Sequence, residues 1–315
     1  MLILDLLQVV LPVFLVMGAG FVATRTGVFA QSAVDGLMVF TQSFAVPCLL
    51  FQALIRLDLG EVFDPRLLSS FYVGALVSFA LGILGARKIF GRRPGESVAI
   101  GFGALFSNSV LLGLPIMERA YGPGSLDANF GVISIHAPFC YFVGITAMEF
   151  ARADGRGVAG TMAAVGRAMF RNALMIGLAL GFAANLGGVA LPEVVLGAVE
   201  MLARAALPAA LFGLGGVLTR YQLKASLGEA GMVAGLSLLL HPLITWLLAD
   251  KLFALPTDFV RGAVVTAAMA PGVNAYIFAS LYGRGQAQTA SAVLLATGAS
   301  VLTVSMWLAI LGGSG

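Results

Sequence analysis

The stretch "SNSVLLGLPI", residues 107–116, lies in the middle of a long apolar segment. It places Asn108 between two serines and follows it with Gly113 and Pro115. An unpaired amide is costly in apolar surroundings, and proline inside a helix removes a hydrogen bond and clashes with the carbonyl four residues earlier. The stretch therefore predicts a break in a helix at a depth where membrane helices are normally continuous.

The composition around this stretch is that of an integral membrane protein. Apolar residues make up 59% of the 315 residues, charged residues make up 10%, and the mean hydropathy is +0.98. A helix needs about 20 mostly apolar residues to cross a bilayer. We therefore predict an all-α membrane protein with ten transmembrane spans, numbered 1 to 10, at residues 4–24, 34–55, 67–86, 96–119, 129–151, 168–186, 194–218, 230–249, 259–281 and 288–311.

The distribution of basic residues predicts the orientation of the chain. Loops rich in Lys and Arg stay in the cytoplasm. The loops after odd-numbered spans carry 12 of the 18 basic residues, and the loops after even-numbered spans carry five. We expect a multi-pass protein of the cell (inner) membrane with both termini on the non-cytoplasmic side. Because topology explains the net charge of +3, the expected partner is the lipid bilayer and not nucleic acid.

The chain also contains an internal repeat. An offset of 208 − 47 = 161 lays "VPCLLF" (46–51) over "LPAALF" (207–212) and Gly20-Phe21 over Gly181-Phe182. Since each half has five spans, the second half is expected to insert upside down relative to the first. We predict a single transmembrane transporter domain, residues 1–315, with repeat one at about 1–151 and repeat two at about 162–315. Inverted repeats are typical of secondary transporters, whose sites lie near the midplane at interrupted helices.

Span 9 contains a second interruption, "MAPGVNAYIF" at residues 269–278. Proline is favoured in the first turn of a helix, so half-helices are predicted to start near Pro115 and near Pro271. Their unpaired N–H groups and positive dipole ends would face one midplane point from opposite sides, which predicts an anion site. The two breaks are analogous but do not superimpose, because the 161 offset lays Asn108 on Met269.

The candidate ligands are Asn108 and Asn274, because a side-chain amide can donate to a carboxylate. The alternative is that each asparagine only joins neighbouring helices or caps a broken end. Glycine at the breaks would allow close approach of the backbones. The predicted substrate-binding residues are Asn108, Asn274, Ser107, Gly113, Pro115, Pro271, Gly272 and Tyr276.

The remaining ionisable residues suggest little further chemistry. His136 in span 5 is a candidate for proton or ion coupling, with a neutral packing role as the alternative. Glu200 and Arg204 are four residues apart in span 7 and are predicted to pair, with a pathway or dimer role as the alternative. Metal-binding, nucleophile and phosphate-loop motifs are missing from the sequence, so we expect neither an enzyme nor a cofactor, although coupling to H⁺ or Na⁺ stays open.

At these residues the chain resembles a known family. "NSVLLGLPI" and "APGVNAYIFASLYG" (270–283) are similar to the span 4 and span 9 segments of the auxin efflux carrier family, the PIN-like and malonate- or malate-permease-like transporters. The short central loop is similar to that of the compact bacterial members. The resemblance implies a scaffold of spans 1, 2, 6 and 7, a transport unit of spans 3–5 and 8–10, elevator-like movement and a homodimer.

The function expected from these observations is secondary active or facilitative transport of small organic anions. The substrates would be mono- or dicarboxylates such as malonate, malate or auxin-like acids. One alternative is a Na⁺-coupled carrier resembling the bile-acid symporters, which replacement of Na⁺ by choline would distinguish. Another alternative is a membrane receptor or sensor that binds its ligand without moving it.

Overall fold

The computed structural model describes residues 3–55, 57, 59–151, 173–221 and 226–312, and within these ranges it contains helices and no β-strands. The first residues of predicted span 6 lie outside the described residues. In chain order the helices of eight or more residues are α1 (Ile3–Arg25), α2 (Gln31–Leu54), α3 (Pro65–Lys88), α4 (Pro94–Leu105), α5 (Leu114–Tyr121), α6 (Asp127–Ala151), α7 (Ala173–Leu186), α8 (Glu193–Leu218), α9 (Leu227–Leu252), α10 (Thr257–Ala267), α11 (Val273–Tyr282) and α12 (Gln286–Ile310).

Six of these helices are long and apolar enough to cross a membrane. They are α2, α3, α6, α8, α9 and α12, each of 24 residues or more, and they correspond to predicted spans 2, 3, 5, 7, 8 and 10. Spans 4 and 9 are each divided into two helices, α4 with α5 and α10 with α11. The all-helical, multi-pass character of the chain is therefore confirmed, and the full count of ten spans stays a prediction.

The chain divides into two compact units. Unit 1 comprises Met1–Leu11, Phe63–Met162 and Tyr221–Gly315, and so contains α3 to α6 and α9 to α12. Unit 2 comprises Pro12–Val62 and Ala163–Arg220, and so contains most of α1 together with α2, α7 and α8. Both interrupted spans belong to unit 1.

Glycines bring the helices of unit 2 into main-chain contact. A Cβ atom on Gly20 of α1 would lie 2.0 Å from the carbonyl oxygen of Phe212 in α8. A Cβ atom on Gly181 of α7 would lie 2.8 Å from Cβ of Leu54 and 3.3 Å from Cα of Phe51, both in α2. Small residues at such positions let membrane helices approach closely, and van der Waals packing then holds them together.

Three prolines inside apolar helices follow a widened helical turn. In each case a five-residue π-helical turn ends two residues before the proline, and the residue before the proline donates its N–H to the carbonyl five residues earlier. This wider turn relieves the clash that proline causes in an α-helix, so the helix continues through it. The turns are Thr41–Ala45 before Pro47, Ser109–Gly113 before Pro115 and Leu236–Leu240 before Pro242.

The π-helical turn corrects one expectation from the sequence. Helix was predicted to break at Leu114 and to restart near Pro115, but Leu114 donates its N–H to the Ser109 carbonyl and the chain runs helically into α5. The α-helix α5 does begin near Pro115, at Leu114, but the expectation of a break directly before it is wrong. Helix resumes at Ser109, after a break at residues 106–108.

A tryptophan satisfies the carbonyl that Pro242 leaves without its helical donor. Proline at 242 cannot bond the carbonyl of Leu238, four residues earlier, and Trp307 Nε1 of α12 donates to that oxygen at 2.9 Å. Trp307 is 4% exposed and Leu238 is 2% exposed, so water does not replace this bond. The contact fixes α12 against α9 within unit 1.

We expect Trp307→Phe to destabilise the protein, because it leaves a buried carbonyl unsatisfied. A lost partner of this kind costs about 1–3 kcal/mol, to which the lost ring volume adds. Thermal unfolding of the purified protein measures the effect. The control is Trp246→Phe, the same exchange at the only other tryptophan of the sequence. Equal losses in the two variants would mean that the hydrogen bond contributes nothing beyond volume.

Candidate functional site: the crossing of two interrupted helices

The two interruptions meet inside unit 1. The break in span 4 covers residues 106–108, between α4 and the π-helical turn, and the break in span 9 covers residues 268–272, between α10 and α11. Ser107 lies opposite Pro271 in a short antiparallel bridge. Two main-chain hydrogen bonds hold the bridge, from Asn108 N–H to Ala270 O at 2.8 Å and from Gly272 N–H to Phe106 O at 2.9 Å.

This arrangement suits proline at position 271. Ser107 and Pro271 form the non-hydrogen-bonded pair of the bridge, so the missing N–H of Pro271 leaves no acceptor unsatisfied. We call this pairing of residues 106–108 with residues 268–272 the crossing. It replaces part of the hydrogen bonding that both helices lose where they are interrupted.

Both second half-helices begin at the crossing. One resumes at Ser109 and the other at Val273, immediately after Asn108 and Gly272. The N–H groups of a first helical turn have no acceptor inside the helix, and they carry the positive end of the helix dipole. Main-chain donors from two helices therefore start at the same place in unit 1.

The two predicted asparagine ligands also lie here. The Asn108 side chain is 7% exposed, and its amide makes no hydrogen bond to any part of the chain that the structure describes. Asn274, in the first turn of α11, accepts a hydrogen bond at its Oδ1 from the Tyr141 hydroxyl at 3.3 Å. This bond uses the oxygen of the Asn274 amide and leaves its N–H₂ group as a donor.

The other predicted site residues differ in how closely they are tied to the crossing. Ser107 is part of the bridge, whereas Tyr276 has its ring 5.0 Å from the ring of Tyr221. A Cβ atom on Gly272 would lie 3.5 Å from Cα of Asn108, which is ordinary van der Waals contact. A Cβ atom on Gly113 would lie 3.3 Å from the flexible Met269 side chain. Neither glycine is therefore required for the backbones to approach as closely as they do.

His136 lies against the crossing from α6. It is 2% exposed, and its Nε2 is 3.5 Å from the Ser107 hydroxyl oxygen. Its Nδ1 is 3.7 Å from the Cys140 thiol, and the ring of Phe106 packs edge-on at 4.8 Å. A role in proton coupling stays a prediction, but the structure does place a titratable side chain beside a bridge residue.

Sequence reasoning missed an aromatic cluster beside the breaks. Phe102 of α4 and Phe278 of α11 stack with their ring centroids 3.9 Å apart, and Tyr141 of α6 packs near both rings. The available signal was two pairs of aromatic residues four positions apart, Phe102 with Phe106 and Phe278 with Tyr282. Such spacing is common in apolar helices, so it did not single these residues out.

Acidic and metal-binding chemistry is not found in the described residues of this region. No group of three or more His, Cys, Asp or Glu side chains that could hold a metal occurs in the described ranges. The crossing thus presents neutral hydrogen-bond donors.

Elsewhere in the chain, the predicted pairing of Glu200 with Arg204 is confirmed. A guanidinium nitrogen of Arg204 lies 2.5 Å from Glu200 Oε1.

Long apolar helices surround an interruption that is rich in hydrogen-bond donors. This architecture is that of a multi-pass membrane protein with a polar site, as membrane carriers have. A family model described as membrane transport protein matches residues 5–308. The chain belongs to this family, that of the auxin efflux carrier and PIN-like proteins, as the resemblance predicted. It is a family of transporters and not of enzymes. A comparison with curated proteins gave no significant match.

Proposed function

We propose that this protein is a secondary active or facilitative transporter of small organic anions, which it moves by alternating access around the crossing. The observation that carries the proposal is that two half-helices start at the crossing, with the buried Asn108 amide and the half-buried Asn274 amide beside them. The substrates are mono- or dicarboxylates such as malonate, malate or auxin-like acids.

The donors at the crossing fit a carboxylate. The amides of Asn108 and Asn274 and the first-turn N–H groups after Asn108 and Gly272 can bind the carboxylate oxygens. All of these donors are neutral, so the site places no unpaired charge in the bilayer. A site of this kind can release its anion as readily as it binds it, which a carrier requires.

Two features support an inverted repeat of five plus five spans. Gly20 meets Phe212, and Gly181 meets Phe51. The 161 offset converts one pair into the other, since 20 + 161 = 181 and 51 + 161 = 212. The first half-helices end at Leu105 and Ala267. These positions differ by 267 − 105 = 162, one more than the offset. On this reading the chain crosses the cell (inner) membrane ten times and has both termini on the non-cytoplasmic side.

The division into units supports an elevator-like movement. Unit 1 holds the crossing and contains spans 3–5 and 8–10 with the start of span 1, and unit 2 contains the rest of span 1 and spans 2, 6 and 7. We propose that unit 1 carries the anion while unit 2 stays fixed in the membrane. The proposal includes no metal or organic cofactor. Coupling to H⁺ would use His136, and loss of uptake when choline replaces Na⁺ would point to Na⁺ instead.

Thermal unfolding with a panel of carboxylates tests the proposal. A ligand that binds only the folded protein stabilises it, by about 2.7 kcal/mol at 100 times its Kd. We expect malonate, malate or indole acetate to raise the unfolding temperature of the wild type and to leave Asn108→Ala unchanged. Because the Asn108 amide has no hydrogen-bond partner in the described chain, this variant should fold normally.

The control is Gln42→Ala, which removes an exposed amide from α2 in unit 2 and should keep the full shift. A shift that survives in Asn108→Ala would place the anion elsewhere. Absence of a shift with every carboxylate would remove the reason for assigning an anion site to the crossing.

A further inference from the structure

Helix α6 contacts the ends of the half-helices around the crossing. Its Cys140 thiol lies 3.7 Å from the carbonyl oxygen of Leu105, the last residue of α4. Its Tyr141 hydroxyl donates to Asn274 at the start of α11. The third contact joins Asn129 to the end of α10. Neither the sequence analysis nor the proposed function gives Asn129 a role.

Asn129 joins α6 to the last turn of α10. Its side chain is fully buried, and its Nδ2 donates to the Thr266 hydroxyl at 2.7 Å and to the Gly262 carbonyl at 3.3 Å. The Thr266 hydroxyl in turn donates to the Gly262 carbonyl at 2.6 Å. Thr266 is the next-to-last residue of α10, two residues before the break begins at residue 268.

The two helices are in close contact at this point. A Cβ atom on Gly262 would lie 2.7 Å from Cβ of Ala128 and 3.2 Å from Oδ1 of Asn129. The packing leaves that Oδ1 buried and without a hydrogen-bond partner among the described residues. An unsatisfied buried acceptor is costly, and an apolar side chain of the same size would avoid it. The benefit of the amide is therefore directional: it fixes the rotation of α10 about its axis.

We infer that Asn129 is a positioning residue for the crossing. By holding the end of α10, it fixes where residues 268–272 emerge, and so sets the register in which Ala270 and Gly272 pair with Asn108 and Phe106. This inference deepens the proposed function, because it concerns how the site is held. However, the two breaks pair in this register without any substrate, so the register can be measured independently of anion binding.

Hydrogen exchange of the ligand-free protein tests the inference. We expect Asn129→Leu to speed amide exchange about tenfold in peptides covering residues 105–109 and 266–273. The variant loses the hydrogen bonds that the Asn129 amide donates to α10, and this loss allows local opening. The matched control is Trp307→Phe, which removes a buried hydrogen bond from the same unit but at α9 and α12. It should leave exchange at the crossing within about twofold of the wild type.

A second variant keeps the test decisive if Asn129→Leu folds poorly. Thr266→Val has the same shape as the native residue but lacks the hydroxyl that accepts from Asn129, whereas Thr266→Ser retains it. We expect fast exchange at the crossing in Thr266→Val and near-native exchange in Thr266→Ser. Wild-type exchange in Thr266→Val, or an acceleration spread evenly over unit 1, would overturn the inference. If a variant keeps native exchange at the crossing but loses carboxylate binding, that result would instead count against the anion site proposed at the crossing.

Discussion

Replacing either crossing asparagine with aspartate is expected to abolish transport of organic anions. Asn108→Asp and Asn274→Asp keep the size of the side chain but put a negative charge where the substrate carboxylate is proposed to bind. Two like charges about 4 Å apart repel by about 4 kcal/mol at an effective dielectric constant of about 20, which corresponds to about a thousandfold loss of affinity. Flux of a radiolabelled carboxylate into liposomes measures the effect.

The control for added charge is Gln31→Glu. Gln31 lies at the start of α2, where its Oε1 accepts from Arg220 and its Nε2 donates to the Thr219 hydroxyl, so a carboxylate keeps the first contact and loses only the second. This variant should transport at the wild-type rate. Wild-type flux in both aspartate variants would show that the anion does not approach the crossing, whatever the fold of the protein.

Replacing Gly20 with leucine is expected to prevent folding. A Cβ atom added at Gly20 would lie 2.0 Å from a main-chain oxygen of α8, and a main-chain atom cannot move aside as a side chain can. The helices α1 and α8 would have to separate, with the loss of their packing. Yield of monodisperse protein after solubilisation in detergent, followed by thermal unfolding, measures the effect.

Gly18→Leu is the matched control, on the same helix and two residues away. A Cβ atom on Gly18 would meet nothing within 4 Å, and leucine is a better helix former than glycine. It should therefore fold at least as well as the wild type. Normal folding of Gly20→Leu would mean that α1 and α8 are not in main-chain contact at Gly20 and Phe212.

The class of the protein could be predicted from the sequence because hydropathy and charge determine it directly. The interruption of span 9 could be predicted as well, since Pro271 lies within the break that the structure shows. Pro115 misled the same argument, because a widened turn accommodates proline without breaking the helix. The turn forms through local hydrogen bonds that hydropathy does not reveal.

The partners of the site residues could not be predicted from sequence. Tyr141 and Asn274 are 133 positions apart, and so are Asn129 and Gly262. Only the folded chain brings them together, and none of these residues belongs to a recognisable motif. The sequence identified the asparagines as unusual for their depth, but it did not identify α6, whose Tyr141 hydroxyl donates to Asn274.

The bridge between Ser107 and Pro271 makes the two interruptions dependent on each other. In a bilayer, main-chain groups that lose their helical partners find no water to replace them. Here each break supplies one donor and one acceptor to the other. A variant that restored a continuous helix in span 9 would therefore strand the polar groups at residues 106–108 in the apolar interior. We therefore expect a substitution that repairs one break to destabilise the other as well, because each break loses one donor and one acceptor when its partner becomes helical.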